Sequence, residues 1–262
     1  MNGIALAFLL PLLAGLFTGV GGLVAIFTKR TDKNFLAICI SFAAGVMIYV
    51  SFVEIFHHAQ ESLKYAHGYE MGFALATLVF LGGIVFMAII DKLIPHGEKE
   101  VSETVGEVSK KDKSALKRMG VMTAVAIAIH NFPEGFITFT AALHDPGVGI
   151  AIATAIAIHN IPEGIAVAAP IHYATGSRKK ALALSFAAGL TEPLGALAAF
   201  ALIVHIFNET VLGFIFAAVG GIMIYISFNQ LLPTAIKFGK HKAVIKGLFG
   251  GMAVMAVSLI FI

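Results

Sequence analysis

AVAIAIHNFPEG at residues 124–135 and TAIAIHNIPEG at residues 154–164 decide the fold and carry the chemistry. The hexapeptide His-Asn-x-Pro-Glu-Gly occurs at His130–Gly135 and again at His159–Gly164, an offset of 29 residues. Each copy lies inside an apolar stretch long enough to cross a bilayer. Histidine and glutamate are costly in that solvent, and where they occur within a span they mark functional positions.

The whole chain is built for that solvent. Of its 262 residues 58% are hydrophobic and 13% are charged, whereas soluble domains carry about 25% charged residues. Eight apolar stretches stand out, near 4–27, 35–56, 72–94, 120–142, 149–171, 181–205, 211–232 and 244–262. Barrel-type alternation is absent, which leaves helices. The first stretch has no basic n-region or small-residue cleavage site, so it reads as a retained helix. Cys39 is the single cysteine and cannot form an intramolecular disulfide. The expected fold is an all-α polytopic membrane protein, one transmembrane domain over residues 1–262 with a charged, flexible cytoplasmic loop at 95–119.

With the N-terminus outside, 17 of the 18 Lys and Arg residues fall in inner loops or at inner helix ends. Only Lys64 falls outside. The positive-inside rule therefore sets both termini outside an inner (plasma) membrane, with eight spans. The basic loops need no nucleic-acid partner.

Two longer repeats frame the motif pair. Ala14, Gly15, Leu16, Gly21 and Leu23 recur as Ala188, Gly189, Leu190, Gly195 and Leu197, at an offset of 174. Gly45, Met47, Tyr49, Ser51, Phe52 and Ala59 recur as Gly221, Met223, Tyr225, Ser227, Phe228 and Ala235, at an offset of 176. Helices 1–3 thus repeat as helices 6–8 around the central pair, a 3+2+3 arrangement. Three helices precede the pair, so the repeated blocks start on opposite sides and the repeat is inverted, a plan that recurs in secondary transporters.

Within each motif the histidine and glutamate are four residues apart and share a helical face, with the asparagine on the adjoining edge. Pro133 and Pro162 cannot donate to the carbonyls of Ile129 and Ile158, so each helix is expected to kink and free a carbonyl. His130, Glu134, His159 and Glu163 then form a donor set suited to Zn²⁺ or a neighbouring first-row ion. Asn131 and Asn160 either join that set or hold the freed carbonyls. Glu192, beside Pro193 in helix 6, adds a third carboxylate. Glu54 either snorkels outward or lines the access path with His57 and His58. Met47 is either an accessory soft ligand or packing. His144, His172, His205 and His241 lie near helix ends and are expected to be solvated.

Both His-Asn-x-Pro-Glu-Gly copies, the eight stretches and the Thr191-Glu192-Pro193 segment resemble the ZIP (Zrt-, Irt-like) family over essentially the whole chain, most closely its bacterial ZupT-like branch. The resemblance implies uptake of divalent metal into the cytoplasm, with zinc prominent and iron, manganese, cobalt and cadmium also accepted. It implies a binuclear centre: one site of His130, Glu134, His159 and Glu163 with Met47, and a neighbour of Asn131, Glu134, Asn160, Glu163 and Glu192. Metal is then transported substrate, and no cofactor is expected. Where relatives carry a histidine-rich loop after helix 3, this chain has only His96, which argues against a sensor there.

The expected mechanism is alternating access through a midplane metal site, helices 1, 4, 5 and 6 moving against 2, 3, 7 and 8. The rival reading is an intramembrane metalloprotease. Such enzymes carry His-Glu-x-x-His with the glutamate as general base, and here asparagine holds that place, so no enzyme is expected. The sequence leaves the number of ions, the order of metal preference and a homodimer open.

Overall fold

The computed structural model describes residues 3–27, 33–93, 110–206 and 208–260, and every regular element among them is helical. Eight long helices follow in order. They are α1 (Gly3–Phe27), α2 (33–67), α3 (Tyr69–Leu93), α4 (Lys110–His144), α5 (Pro146–Thr175), α6 (178–206, broken at Leu190), α7 (209–238) and α8 (His241–Ile260). Seven of these are long and apolar enough to span a bilayer among the described residues. The other is α4, 35 residues long and carrying the first motif copy. The chain is a polytopic all-α membrane protein.

Local signals fix the helix ends. Asp145 caps α5, its Oδ1 accepting from the amides of Gly147 (2.7 Å) and Val148 (3.3 Å), with Pro146 in the first turn. Gly176, at φ +70°, closes α5 by donating to the carbonyl of His172. Gly68, at φ +82°, turns the chain from α2 into α3. Both α4 and α5 continue as helix through Pro133 and Pro162.

Two helices run past the apolar stretches read from the sequence. Residues 110–119 were expected in the loop, yet they form the first turns of α4. Likewise α2 runs on to His67 instead of ending near 56. Hydropathy reports bilayer thickness, while Lys, Ala and Leu propagate a helix into water equally well. The rest of the loop, 94–109, lies outside the described residues, His96 included.

Two packed sets emerge. Helices α1, α4, α5 and α6 press closely on one another, and α2, α3, α7 and α8 form the second set, which meets the first mainly where α2 lies along α5. In the second set, α2 and α7 each contain one wide π-helical turn, at Ser51–Ile55 and Ser227–Leu231. The two turns are separated by the 176-residue offset of the sequence repeat.

The first set is built on backbone contact. Lipid gives no hydrophobic drive between helices, so small residues that let backbones touch carry the association. Gly15 and Gly189 face each other's carbonyl oxygens. Gly21 of α1 lies on the Ile161 carbonyl of α5, and its repeat mate Gly195 of α6 lies on the Phe132 carbonyl of α4. Gly164 of α5 lies on the Thr18 carbonyl, and Gly135 of α4 on the Glu192 carbonyl. These crossings match in pairs: α1 meets α5 as α6 meets α4.

Gly164→Ala drives a methyl group into the Thr18 carbonyl and is expected to lower the midpoint of thermal unfolding in detergent by several degrees. Gly82→Ala, which meets open space, is expected to leave the midpoint unchanged or raise it, alanine being favoured in helices by up to ~1 kcal/mol.

Candidate metal centre

The crossings bring seven polar side chains into the middle of the first set. His130, Asn131 and Glu134 come from α4, His159, Asn160 and Glu163 from α5, and Glu192 from α6. None is more than 2% exposed. Each histidine reaches across to the glutamate of the other helix. His159 Nε2 lies 3.1 Å from Glu134 Oε1, and His130 Nε2 lies 3.2 Å from Glu163 Oε1. His130 Nε2 is also 3.4 Å from Glu134 Oε1 on its own helix. One ligand atom each from His130, His159 and Glu163 fall within 4.8 Å of one another, close enough for one metal ion.

The asparagines take a role the sequence did not suggest. Neither holds the carbonyl freed by its own helix's proline. Asn131 Nδ2 donates to the Ala188 carbonyl of α6 at 3.4 Å, and Asn160 Nδ2 donates to the Ala14 carbonyl of α1 at 2.9 Å. Ala14 and Ala188 are themselves repeat mates. Asn160 Nδ2 also donates to Glu192 Oε1 at 2.5 Å. Both amides therefore tie α4 and α5 to their neighbours and keep their oxygens for the interior.

Acceptors outnumber donors at this centre. Asn131 Oδ1, Asn160 Oδ1, Glu134 Oε2, Glu192 Oε2 and both carboxylate oxygens of Glu163 are buried without a hydrogen-bond partner. Each of the three glutamates has a histidine or amide nitrogen against Oε1 and none against Oε2, and burying a carboxylate so incompletely paired costs several kcal/mol. The donor chemistry is nitrogen and oxygen, which suits zinc and neighbouring first-row cations.

A cavity connects this centre to α2. Glu54 and His58 of α2 line it together with Glu134 and His159 of the centre. Glu54 sits in the π-turn of α2, and His58 Nε2 lies 3.1 Å from its Oε1. His57 is exposed, pairs with Glu61 at 3.3 Å and does not line the cavity. Met47 is fully buried in the apolar cluster that also holds Met223, its repeat mate. His144 and His241 are exposed as expected, but His172 is only 7% exposed. It lies in the last turn of α5, which continues inside the bundle as far as the Gly176 cap. The side chain of His205 lies outside the described residues.

Two polar features escaped the sequence reading. Ser185 Oγ donates to the carbonyls of Thr18 (2.7 Å) and Gly164 (3.2 Å), binding α6 to α1 and α5. Asp91 of α3 accepts from Tyr225 Oη (2.9 Å), Asn229 Nδ2 (2.8 Å) and Gln230 Nε2 (3.3 Å) of α7. A lone serine or a lone aspartate near a helix end gives no signal by spacing.

A model of the family described as ZIP Zinc transporter matches residues 3–118 and 95–259. The chain belongs to the ZIP family. Among similar proteins, the zinc transporter ZupT of Streptococcus mutans is 53% identical, over 97% of this chain and 96% of its own length. That of Lysinibacillus sphaericus is 51% identical over the full length of both chains. That of Clostridium perfringens is 48% identical over 99% of this chain and 97% of its own. As a ZIP protein the chain is a membrane transporter and not an enzyme, and a metal ion is its cargo.

Asn160→Leu removes the amide that ties α5 to both α1 and Glu192. It is expected to destabilise the folded protein by about 1–3 kcal/mol, measured as a fall in the denaturant midpoint in mixed micelles.

Proposed function

We propose that this chain takes up zinc, carried through the centre formed by His130, Asn131, Glu134, His159, Asn160, Glu163 and Glu192. The observation that carries this reading is the convergence of unpartnered carboxylate and amide oxygens from three helices on two histidines, all inside the bundle. A divalent cation supplies the positive charge those oxygens lack. The names of the relatives make zinc the first cargo to test, and the mixed nitrogen and oxygen donors extend the reading to iron, manganese, cobalt and cadmium. Glu134 and Glu163 each set Oε1 against a histidine and keep Oε2 without a partner, so each is suited to bridge two ions. Met47 is an accessory to that set.

The path begins at Glu54 and His58. Their pair lines the same cavity as Glu134 and His159, and the exposed pair of His57 with Glu61 lies further along the same helix face. The ion enters from the side opposite the basic loops, which the positive-inside rule makes the outer side of the plasma membrane, with both termini outside. An inward-negative potential favours this direction for a divalent ion by ~4–5 kcal/mol per 100 mV. Transport proceeds by alternating access. The set α1, α4, α5 and α6 carries the ligands as a unit and moves against α2, α3, α7 and α8. The 3+2+3 inverted repeat supplies the two related end states, and the paired glycine crossings and the twin π-turns support that plan. The ligand set is complete within one chain, so a homodimer is not required by it.

Uptake of radioactive zinc into proteoliposomes tests the centre. Glu134→Ala and Glu163→Ala are each expected to cut uptake by roughly tenfold or more, with competition by iron, manganese, cobalt and cadmium ions in the wild type. Undiminished uptake by both variants would overturn the assignment.

A further inference from the structure

The centre is symmetric in its scaffold and asymmetric in its charge. The 174-residue offset relating α1 to α6 pairs Ala14 with Ala188, Gly15 with Gly189, and Gly21 with Gly195. The same offset pairs Thr18 with Glu192. The structure keeps that pairing in space. The Thr18 carbonyl lies on Gly164 of the second motif, as the Glu192 carbonyl lies on Gly135 of the first. The Thr18 Cβ faces Gly189, as the Glu192 Cβ faces Gly15. Glu192 reaches Asn160, and the repeat assigns Asn131 to Thr18 in the same way.

The hydroxyl of Thr18 is also unusual within this chain. Threonine in a helix ordinarily donates to the carbonyl four residues back. Thr77, Thr138, Thr140, Thr154 and Thr175 all do so here, at 2.7–3.1 Å. Thr18 is 0% exposed, yet its Oγ1 has no partner. The carbonyl it would ordinarily use belongs to Ala14, which accepts from Asn160 instead. Asn131 Oδ1, its neighbour by the repeat, is likewise buried without a partner.

We propose that Thr18 faces the transported ion as a neutral oxygen donor beside Asn131, the counterpart of the Glu192 carboxylate beside Asn160. This rests on the metal centre proposed above. The centre thereby holds its cargo with a charged wall on the Asn160 side and an uncharged wall on the Asn131 side. A second carboxylate in place of Thr18 would hold a divalent ion more tightly and release it more slowly.

The test measures zinc binding by isothermal titration calorimetry on the full chain in nanodiscs, and zinc uptake in proteoliposomes. It uses wild type, Thr18→Val, Thr18→Ser, Thr18→Ala and Glu163→Gln. Valine keeps the shape of threonine and removes its hydroxyl, whereas serine keeps the hydroxyl. Thr18→Val is expected to weaken binding about three- to tenfold, the loss of one neutral oxygen partner. It is expected to raise KM by the same factor, with kcat retained or increased. Thr18→Ser is expected to match wild type, and Glu163→Gln to lose binding. If Glu163→Gln loses binding while folded Thr18→Val binds within twofold of wild type, Thr18 is packing alone and this proposal fails. A Thr18→Val protein that does not fold leaves serine as the arbiter, and a serine variant weakened as much as Thr18→Ala also overturns the proposal. If Glu163→Gln binds like wild type, the centre itself is wrong and the role of Thr18 falls with it.

Discussion

Three carboxylates inside one membrane bundle are the constraint on which the rest of the structure depends. Glu134, Glu163 and Glu192 are at most 2% exposed and share few hydrogen-bond donors. Water cannot solvate them at that depth, so neighbouring helices must offer whatever polar atoms they have. That requirement explains why four helices touch backbone to backbone. Glycine at 21, 135, 164 and 195 removes the side chains that would otherwise hold α1 and α6 away from α4 and α5. The asparagines of both motifs then reach carbonyls one helix away and lock the spacing.

The two sequence repeats divide the labour. The 174-residue repeat belongs to the helices that touch the centre, and its matched glycines and alanines build a nearly symmetric cradle. The 176-residue repeat belongs to α2 and α7, whose π-turns place Glu54 by the cavity and Asn229 and Gln230 by Asp91. Symmetry is kept in the backbone and broken in the side chains. Glu54 has Gln230 as its mate, and Glu192 has Thr18.

Much of this was legible in the amino-acid sequence, for physical reasons. Hydropathy reveals the apolar spans, and the doubled motif reveals which helices carry the buried histidines and glutamates. Spacing of four residues put His130 with Glu134 and His159 with Glu163, and both pairs share the centre. What hydropathy could not reveal was where a helix ends, so the helices at Lys110 and His67 extend past the apolar stretches. The acceptors of Asn131 and Asn160 were illegible because they depend on how helices cross, which no local pattern encodes. His172 was misread because position near a helix end is a poor guide to burial when the bundle extends that far.

The wide turns have a geometric consequence. One row of buried residues on α2 runs Met47, Ser51, Ile55, Ala59 and Leu63, beside Ile48 and Val50, and one on α7 runs Met223, Ser227, Leu231 and Ala235, beside Ile224 and Ile226. Their period is four residues, whereas an α-helix repeats every 3.6. At about 100° per residue, a four-residue stripe drifts by about 40° at each step and would wind more than a third of the way round the helix from Met47 to Leu63. One extra residue taken up in a π-turn cancels most of that drift. The inward-facing stripe therefore runs straight along each helix, with Phe52 and Phe228 turned outward at 49% and 56% exposure. A straight stripe is what lets one helix stay packed against its neighbours along its whole length.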